Sequence, residues 1–123
     1  GVQTCALPIL RLIFVSNENN VGFTKFYDID RANENCVLGA DIHKDFRGQG
    51  YAKVMWELML DVCFNELKLH RVSLTTAAFN HIGQRVYKNL GFREEGRLIQ
   101  SLKRDGVFHD QIMMSLLKSD WKQ

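Results

Sequence analysis

The sequence predicts an α/β fold in which mostly antiparallel strands form one sheet with two helices packed on it. Three observations lead to this prediction: apolar, β-branched runs near both ends of the chain, two stretches with helical three-and-four spacing, and turn residues between them. The 123 residues are 46% hydrophobic and 24% charged, which is typical of one globular domain without a long disordered part.

The opening strands are predicted from alternating apolar residues and the turn residues between them. The run LRLIFVS starts at Leu10, and the polar residues 17–20 then supply a hairpin turn. Residues 21–29 form the returning strand. A second polar stretch separates it from a third strand at residues 36–43, so we expect three antiparallel neighbours.

Two helices follow from the spacing of apolar residues. The first is predicted at residues 51–67, directly after a glycine-containing turn at residues 47–50. The second is predicted at residues 80–90 and is stopped by Gly91, since glycine readily takes the left-handed conformation that ends helices.

The remaining strands lie after each helix. Residues 71–76 (RVSLTT) alternate as a short strand between the two helices. Residues 97–102 and 107–117 are predicted to pair as a hairpin with its turn at residues 104–106. The predicted order is therefore strands, helix, strand, helix, hairpin.

Charge and hydropathy exclude two classes of partner. The net charge is +2, and the Lys and Arg residues are scattered rather than forming the basic stripe that nucleic-acid binding needs. No apolar run approaches the ~20 residues of a membrane helix, and the start lacks the charged region of a signal peptide. We expect a cytoplasmic protein that binds neither nucleic acid nor membrane.

Cysteine and histidine give no metal or disulfide pattern. The three cysteines are an odd number without metal-type spacing, and the four histidines share no ligand spacing. We therefore predict no metal site and no disulfide framework, and we expect Cys63 to pack as a small apolar side chain.

The first nine residues, GVQTCALPI, differ in character from the rest of the chain and resemble the translated read-through of a sequencing adaptor. We expect residues 1–9 to be a non-native leader and residues 10–121 to form the domain. A natural frayed terminus is the alternative.

The stretch DIHKDFRGQGYA places a strand, a glycine-containing turn and a helix in direct succession. Glycine lets a ligand approach the main chain, and the free amides and dipole of the helix start favour a diphosphate. Tyr51 and Ala52 replace the Lys and Ser/Thr of a nucleoside-triphosphate loop, and a dinucleotide fingerprint would need a third glycine. Taken alone the pattern is weak, because many helices without a ligand begin this way.

Two motifs together make the pattern specific. The run Arg47-Gly48-Gln49-Gly50-Tyr51-Ala52 resembles the Arg/Gln-x-x-Gly-x-Gly/Ala diphosphate motif of the GNAT superfamily of acetyltransferases. Asn80, Tyr87 and the Leu90-Gly91-Phe92 ending resemble its second motif. Within that superfamily, the chain is similar to a group containing ribosomal-protein N-terminal, spermidine and amino-sugar acetyltransferases. The similarity lies in FNELKLHRVSL, Glu95-Gly96 and the C-terminal residues Gly106, Asp110, Met113 and Trp121.

The resemblance implies a mixed, mostly antiparallel sheet with helices on both faces, one over each, and a cofactor wedged where two parallel strands diverge. It also implies that the usual first strand and first two helices, which help to wall the acceptor pocket, are missing from this chain.

The resemblance further implies acetyl-CoA as cosubstrate and a role for several residues. Tyr87 would protonate the departing thiolate, although a tyrosine packed in the core is the alternative. Asn80 would bind the cofactor arm, cap its helix, or both. The main chain at Ile42 and His43 would bind pantetheine. The diphosphate would be held by Arg47, Gly48, Gln49, Gly50, Tyr51 and Ala52.

The expected reaction is acetyl transfer to a primary amine of a protein N-terminus, a polyamine or an amino sugar, by direct attack. A base must deprotonate that amine, and Asp41 is the candidate, with a solvated strand-edge carboxylate as the alternative. A non-catalytic acyl-CoA-binding or interaction module is the alternative function. Homo-oligomerisation stays open.

Overall fold

The computed structural model of the protein describes residues 10–121, so the expected leader at residues 1–9 lies outside the described part. Its strands are β1 Leu10–Ser16, β2 Asn19–Asp30, β3 Asn35–Ile42, β4 Arg71–Ala77, β5 Arg93–Arg104 and β6 Val107–Leu117. Its α-helices are α1 Tyr51–Asp61, which continues as a π-helix at Val62–Glu66, and α2 His81–Leu90. Single 3₁₀ turns lie at Lys44–Phe46 and Lys118–Asp120.

All six strands form one sheet in the order β1-β2-β3-β4-β6-β5. β3 and β4 are parallel, and every other neighbouring pair is antiparallel. The predicted mixed, mostly antiparallel sheet is confirmed. This parallel pair lies at the centre of the sheet. It is parallel because a strand–helix–strand connection leads from β3 through α1 to β4.

Two element boundaries differ from the prediction by more than two residues. The helix predicted at residues 51–67 is regular only to Asp61, and the π-helix at Val62–Glu66 then widens the last turns. The strand predicted from residue 97 starts at Arg93, directly after Phe92, although its first residues are charged. Periodicity locates an element more reliably than its ends.

The core lies on one face of the sheet. Cys36 pairs with Val72, and Val72 pairs with Leu116, so their buried side chains point to the same side. The Sγ atoms of Cys36 and Cys63 lie 3.9 Å apart, which places the end of the first helix on that face. Cys63 is fully buried, as a small apolar residue would be.

Both helices pack on this face, which differs from the expectation of one helix over each face. The end of α2 lies over Leu116, whose side chain approaches Gly91, and ring centroids of Trp56 in α1 and Tyr87 in α2 are 5.1 Å apart. The connections β3–α1–β4 and β4–α2–β5 advance across the sheet in one direction. Right-handed crossovers that advance in one direction put their helices on one side.

The opposite face carries a more polar, partly exposed set of side chains. Phe23 and Met113 keep 37% and 40% of their surface exposed there, and the guanidinium of Arg71 forms two hydrogen bonds with the Glu95 carboxylate. Neither described helix is long and apolar enough to cross a membrane.

Candidate active site

The turn before α1 exposes its main chain. β3 ends at Ile42, the 3₁₀ turn follows, and Gly48 and Gly50 then take φ values of 76° and 83°. These left-handed values favour glycine, because a side chain would be strained there. Apart from the glycine itself and its two chain neighbours, no atom lies within 4 Å of where a Cβ would stand on either residue, so a ligand has room to approach the backbone.

The start of α1 is suited to an anion. Gly50 is the N-cap residue, no side chain caps the helix, and its first turn holds no acidic residue. The first amides of a helix have no partner within the helix, and the dipole adds positive potential at this end. An anionic ligand such as a diphosphate therefore fits this position.

The parallel strands β3 and β4 diverge toward this turn. They pair only from Asn35↔Arg71 to Val37↔Ser73, whereas β3 continues to Ile42 and β4 to Ala77. A cavity of about 660 Å³ opens in the gap and reaches the start of α1. It is lined by Ala40, Asp41, Ile42, Phe46, Arg47, Gly48, Gly50, Tyr51, Ala52, Met55, Trp56, Asn80, Ile82, Gly83, Val86 and Tyr87.

All the predicted site residues except His43 and Gln49 line this cavity. The N–H of His43 donates to the Val21 carbonyl at 2.7 Å, and its own carbonyl accepts from the Phe46 N–H at 2.8 Å. Its Nδ1 accepts from the Asp45 N–H at 3.3 Å, so His43 caps the 3₁₀ turn instead of lining the gap. The Gln49 amide donates to the Asp45 carbonyl at 3.3 Å, which braces the turn from outside.

Asp41 and Arg47 are joined at the cavity wall. The Arg47 Nη2 lies 3.3 Å from Asp41 Oδ1, and Arg47 Nε donates to the Ile42 carbonyl at 3.0 Å. Both side chains are more than half exposed, so the pair contributes little to stability. Its effect is to hold the arginine between the end of β3 and the glycine turn.

Tyr87 reaches the cavity from α2 through an aromatic cluster. Its ring centroid lies 5.1 Å from that of Trp56 and 6.1 Å from that of Phe92. Burial raises the pKa of Tyr87 above its ordinary value of 10.0; a hydrogen bond with Thr76 opposes this shift, and the charge of Asp41 adds to it. The phenol therefore keeps its proton at neutral pH.

Asn80 caps α2 and also lines the cavity. Its Oδ1 accepts from the Gly83 N–H at 3.0 Å, and its Nδ2 donates to Thr76 Oγ1 at 3.1 Å. The predicted N-cap is confirmed. The same bonds tie the start of α2 to the end of β4.

The sequence prediction missed the apolar part of the wall. Phe46 and Trp56 line the cavity beside Tyr51, and Ile82 and Val86 line it from α2. The signal for the last two was present, since residues 82, 83, 86 and 87 fall on one side of a helix. Within residues 10–121, no three His, Cys, Asp or Glu side chains come together as metal ligands.

Comparison with known proteins decides the family. The model of the Acetyltransferase (GNAT) domain matches residues 7–93, which is more than half of the chain. The chain belongs to the GNAT acetyltransferase family. This GNAT domain is 32% identical over 101 residues to "Putative ribosomal N-acetyltransferase YdaF" of Bacillus subtilis, covering 82% of this chain and 55% of that protein.

Spermidine acetyltransferases are also similar to this GNAT domain. The spermidine N(1)-acetyltransferase of Vibrio cholerae is 26% identical over 106 residues, which cover 86% of this chain and 61% of that protein. A crystal structure of spermidine N-acetyltransferase from Vibrio cholerae in complex with CoA and spermine superposes with a TM-score of 0.85 at 26% identity, covering 89% of this chain and 64% of that one. The chain thus spans under two thirds of the length of these relatives.

Proposed function

We propose that the protein transfers an acetyl group from acetyl-CoA to a primary amine by direct attack of the amine on the thioester. One observation carries the proposal: a single cavity joins the gap between β3 and β4 to the uncapped start of α1. A coenzyme A molecule needs both features, one for its amide-containing arm and one for its diphosphate.

The residues present fit that cosubstrate. The open main chain at Gly48 and Gly50 leaves space for phosphate oxygens, which the amides of the first turn of α1 would bind. Beyond Val37 and Ser73, β3 and β4 no longer pair with each other, so an extended ligand can take hydrogen bonds from the strand edges. Phe46 and Trp56 supply apolar contact for the arm.

Tyr87 is proposed as the acid. When the amine nitrogen bonds to the thioester carbonyl carbon and the carbon–sulfur bond breaks, the sulfur leaves as a thiolate that needs a proton. The Tyr87 phenol is partly buried at the cavity wall and protonated at neutral pH, so it can supply that proton. Asp41, the carboxylate on the wall, is proposed to accept the proton that the amine releases.

The acceptor class is an amine, and its identity stays open among a polyamine, a protein N-terminus and an amino sugar. The spermidine acetyltransferase of Vibrio cholerae solved with CoA and spermine supports an amine acceptor. A structure of that relative is described as dodecameric, which supports testing this protein for homo-oligomers. The alternative, a non-catalytic acyl-CoA-binding or interaction module, would keep the diphosphate site alone.

A binding and turnover experiment separates the two functions. Acetyl-CoA affinity is measured by calorimetry, and thiol release is then followed with spermidine, a serine-terminated peptide and glucosamine. We expect measurable affinity and amine-dependent thiol release with at least one class. Affinity without release for all three amines would favour the module, and absence of affinity would contradict both.

A further inference from the structure

The end of the β5–β6 hairpin lies beside the cavity between β3, β4 and the start of α1, which is called the cofactor cavity below. β4 ends at Ala77, opposite Gln111, whereas β5 and β6 continue to pair as far as Arg104↔Val107. The guanidinium carbon of Arg104 lies 5.2 Å from the ring centroid of Phe79, the second residue after β4. The hairpin end therefore folds over the segment that leads into α2.

A β-bulge fixes this position. The register of β5 shifts between Leu98 and Leu102, where Gln100 takes a φ of 50°. The Gln100 N–H donates to Asp110 Oδ1 at 2.8 Å, and Arg97 Nη1 donates to Asp110 Oδ2 at 3.4 Å. Asp110, whose backbone carbonyl also accepts from the Ala78 N–H at 2.9 Å, thus holds the bulge with both carboxylate oxygens.

A second cavity of about 530 Å³ lies under the hairpin end. It is lined by Ala77, Phe79, Asn80, Leu102, Lys103 and Arg104. Asn80 also lines the cofactor cavity, so the two spaces adjoin at the N-cap of α2. A molecule that enters the cofactor cavity past Asn80 would contact the hairpin.

The second cavity is cationic. Arg104 stacks on Phe79, and Lys103 Nζ lies 5.4 Å from the ring centroid of Phe108, which restrains both side chains while their N–H donors stay available. Within residues 10–121, neither cation has a carboxylate within ion-pair distance. Asp41 is the single carboxylate among the described residues that line either cavity, and it already faces Arg47.

We propose that the acceptor carries an anionic group, a carboxylate or phosphate, in addition to its amine, and that Arg104 and Lys103 bind this group. The inference rests on the proposed function, since it places the acceptor beside Asn80. Guanidinium and ammonium groups bind such anions through charge-assisted hydrogen bonds. A polyamine would instead bring further ammonium groups toward two cations, without a free carboxylate on these walls to receive them.

A matched pair of ligands tests this inference. Glucosamine and glucosamine 6-phosphate carry the same amine and differ by one phosphate, and their affinities are measured by calorimetry on the whole chain with and without CoA. We expect the phosphorylated sugar to bind at least about tenfold more tightly, because it adds a charge-assisted contact. Equal or weaker binding would overturn the inference.

Substitutions test whether Arg104 and Lys103 cause the preference for the phosphorylated sugar. Arg104→Gln should reduce the ratio of the two affinities to near one, whereas Arg31→Gln should leave it unchanged, because Arg31 bonds to the Leu67 carbonyl at the other end of the sheet. A ratio that survives Arg104→Gln combined with Lys103→Gln would also overturn the inference.

A second comparison tests whether Arg104 instead binds the 3′-phosphate of the cofactor. CoA and 3′-dephospho-CoA are titrated into the original protein and Arg104→Gln. If the substitution weakened CoA but not dephospho-CoA, the hairpin would serve the 3′-phosphate of the cofactor, and the inference would fail. Absent affinity for CoA would contradict the proposed function instead, and the sugar pair measured without CoA would still report the preference.

Discussion

Replacing Gly50 by glutamate tests the diphosphate site directly. Gly50 has a φ of 83°, and no atom beyond its chain neighbours lies within 4 Å of its Cβ position, so an added Cβ has space but costs about 1 to 2 kcal/mol of backbone strain. A carboxylate near the bound diphosphate adds repulsion of about 1 to 4 kcal/mol for each pair of unit charges at 4 Å, depending on solvent exposure. We expect CoA affinity to fall by at least about tenfold.

Two controls separate repulsion from strain. Gly50→Ala carries the same backbone strain without the charge, so it should lose stability but keep most of its affinity. Gly106→Glu places the same residue at a φ of 79° in the hairpin turn, where no atom beyond the chain neighbours lies within 4 Å of the added Cβ. This variant should lose stability but keep its CoA affinity. Affinity is measured by calorimetry and stability by thermal unfolding. Equal CoA affinity in Gly50→Glu and Gly50→Ala would refute the location of the site.

The remaining predictions concern α2 and the core. Tyr87→Phe should lower turnover by about 10²-fold while leaving CoA affinity nearly unchanged. Unaltered single-turnover kinetics would show that Tyr87 is not the acid. Because burial raises the pKa of Tyr87, the alkaline loss of activity should begin only above pH 10. The unfolded chain ionises this tyrosine first, so the stability advantage over Tyr87→Phe should shrink as pH rises above 10, and urea titrations across pH 8–11 would show it. Asn80→Ala should cost about 1 kcal/mol by urea unfolding through loss of the bond to Gly83, and a cost near zero would contradict the cap. Phe26→Ala should cost about 3 to 5 kcal/mol, because Phe26 is fully buried, and a smaller loss would mean that the core relaxes around it.

Much of the fold could be predicted because local residues determine it. The β1 strand, the start of α1, the Asn80 cap and the Gly91 stop all matched, since each depends on neighbouring residues. Gly91 takes a φ of 107°, as a helix-ending glycine should.

The placement of the helices was not predictable in the same way. It depends on the direction of successive crossovers and thus on the order of the strands, in which β6 lies between β4 and β5. The bulge in β5 also escaped prediction, because the contacts of Asp110 with Gln100 and Arg97 join residues about ten or more positions apart.

The candidate site was predicted best where the main chain forms it. The glycine turn and the helix start could be identified from the sequence, because glycine and the helix start determine their geometry. The contact between Asp41 and Arg47 was missed, because it depends on how the turn folds back on β3. The aromatic wall around Tyr87 was missed for the same kind of reason, since Trp56 reaches it from another helix.

A crystal structure of this chain with CoA would test the diphosphate site directly. We expect the diphosphate to lie against the main-chain N–H groups from Gly48 to Ala52, with the thiol end of the arm between β3 and β4 near Tyr87. A diphosphate bound elsewhere, or no bound CoA at saturating concentration, would contradict it.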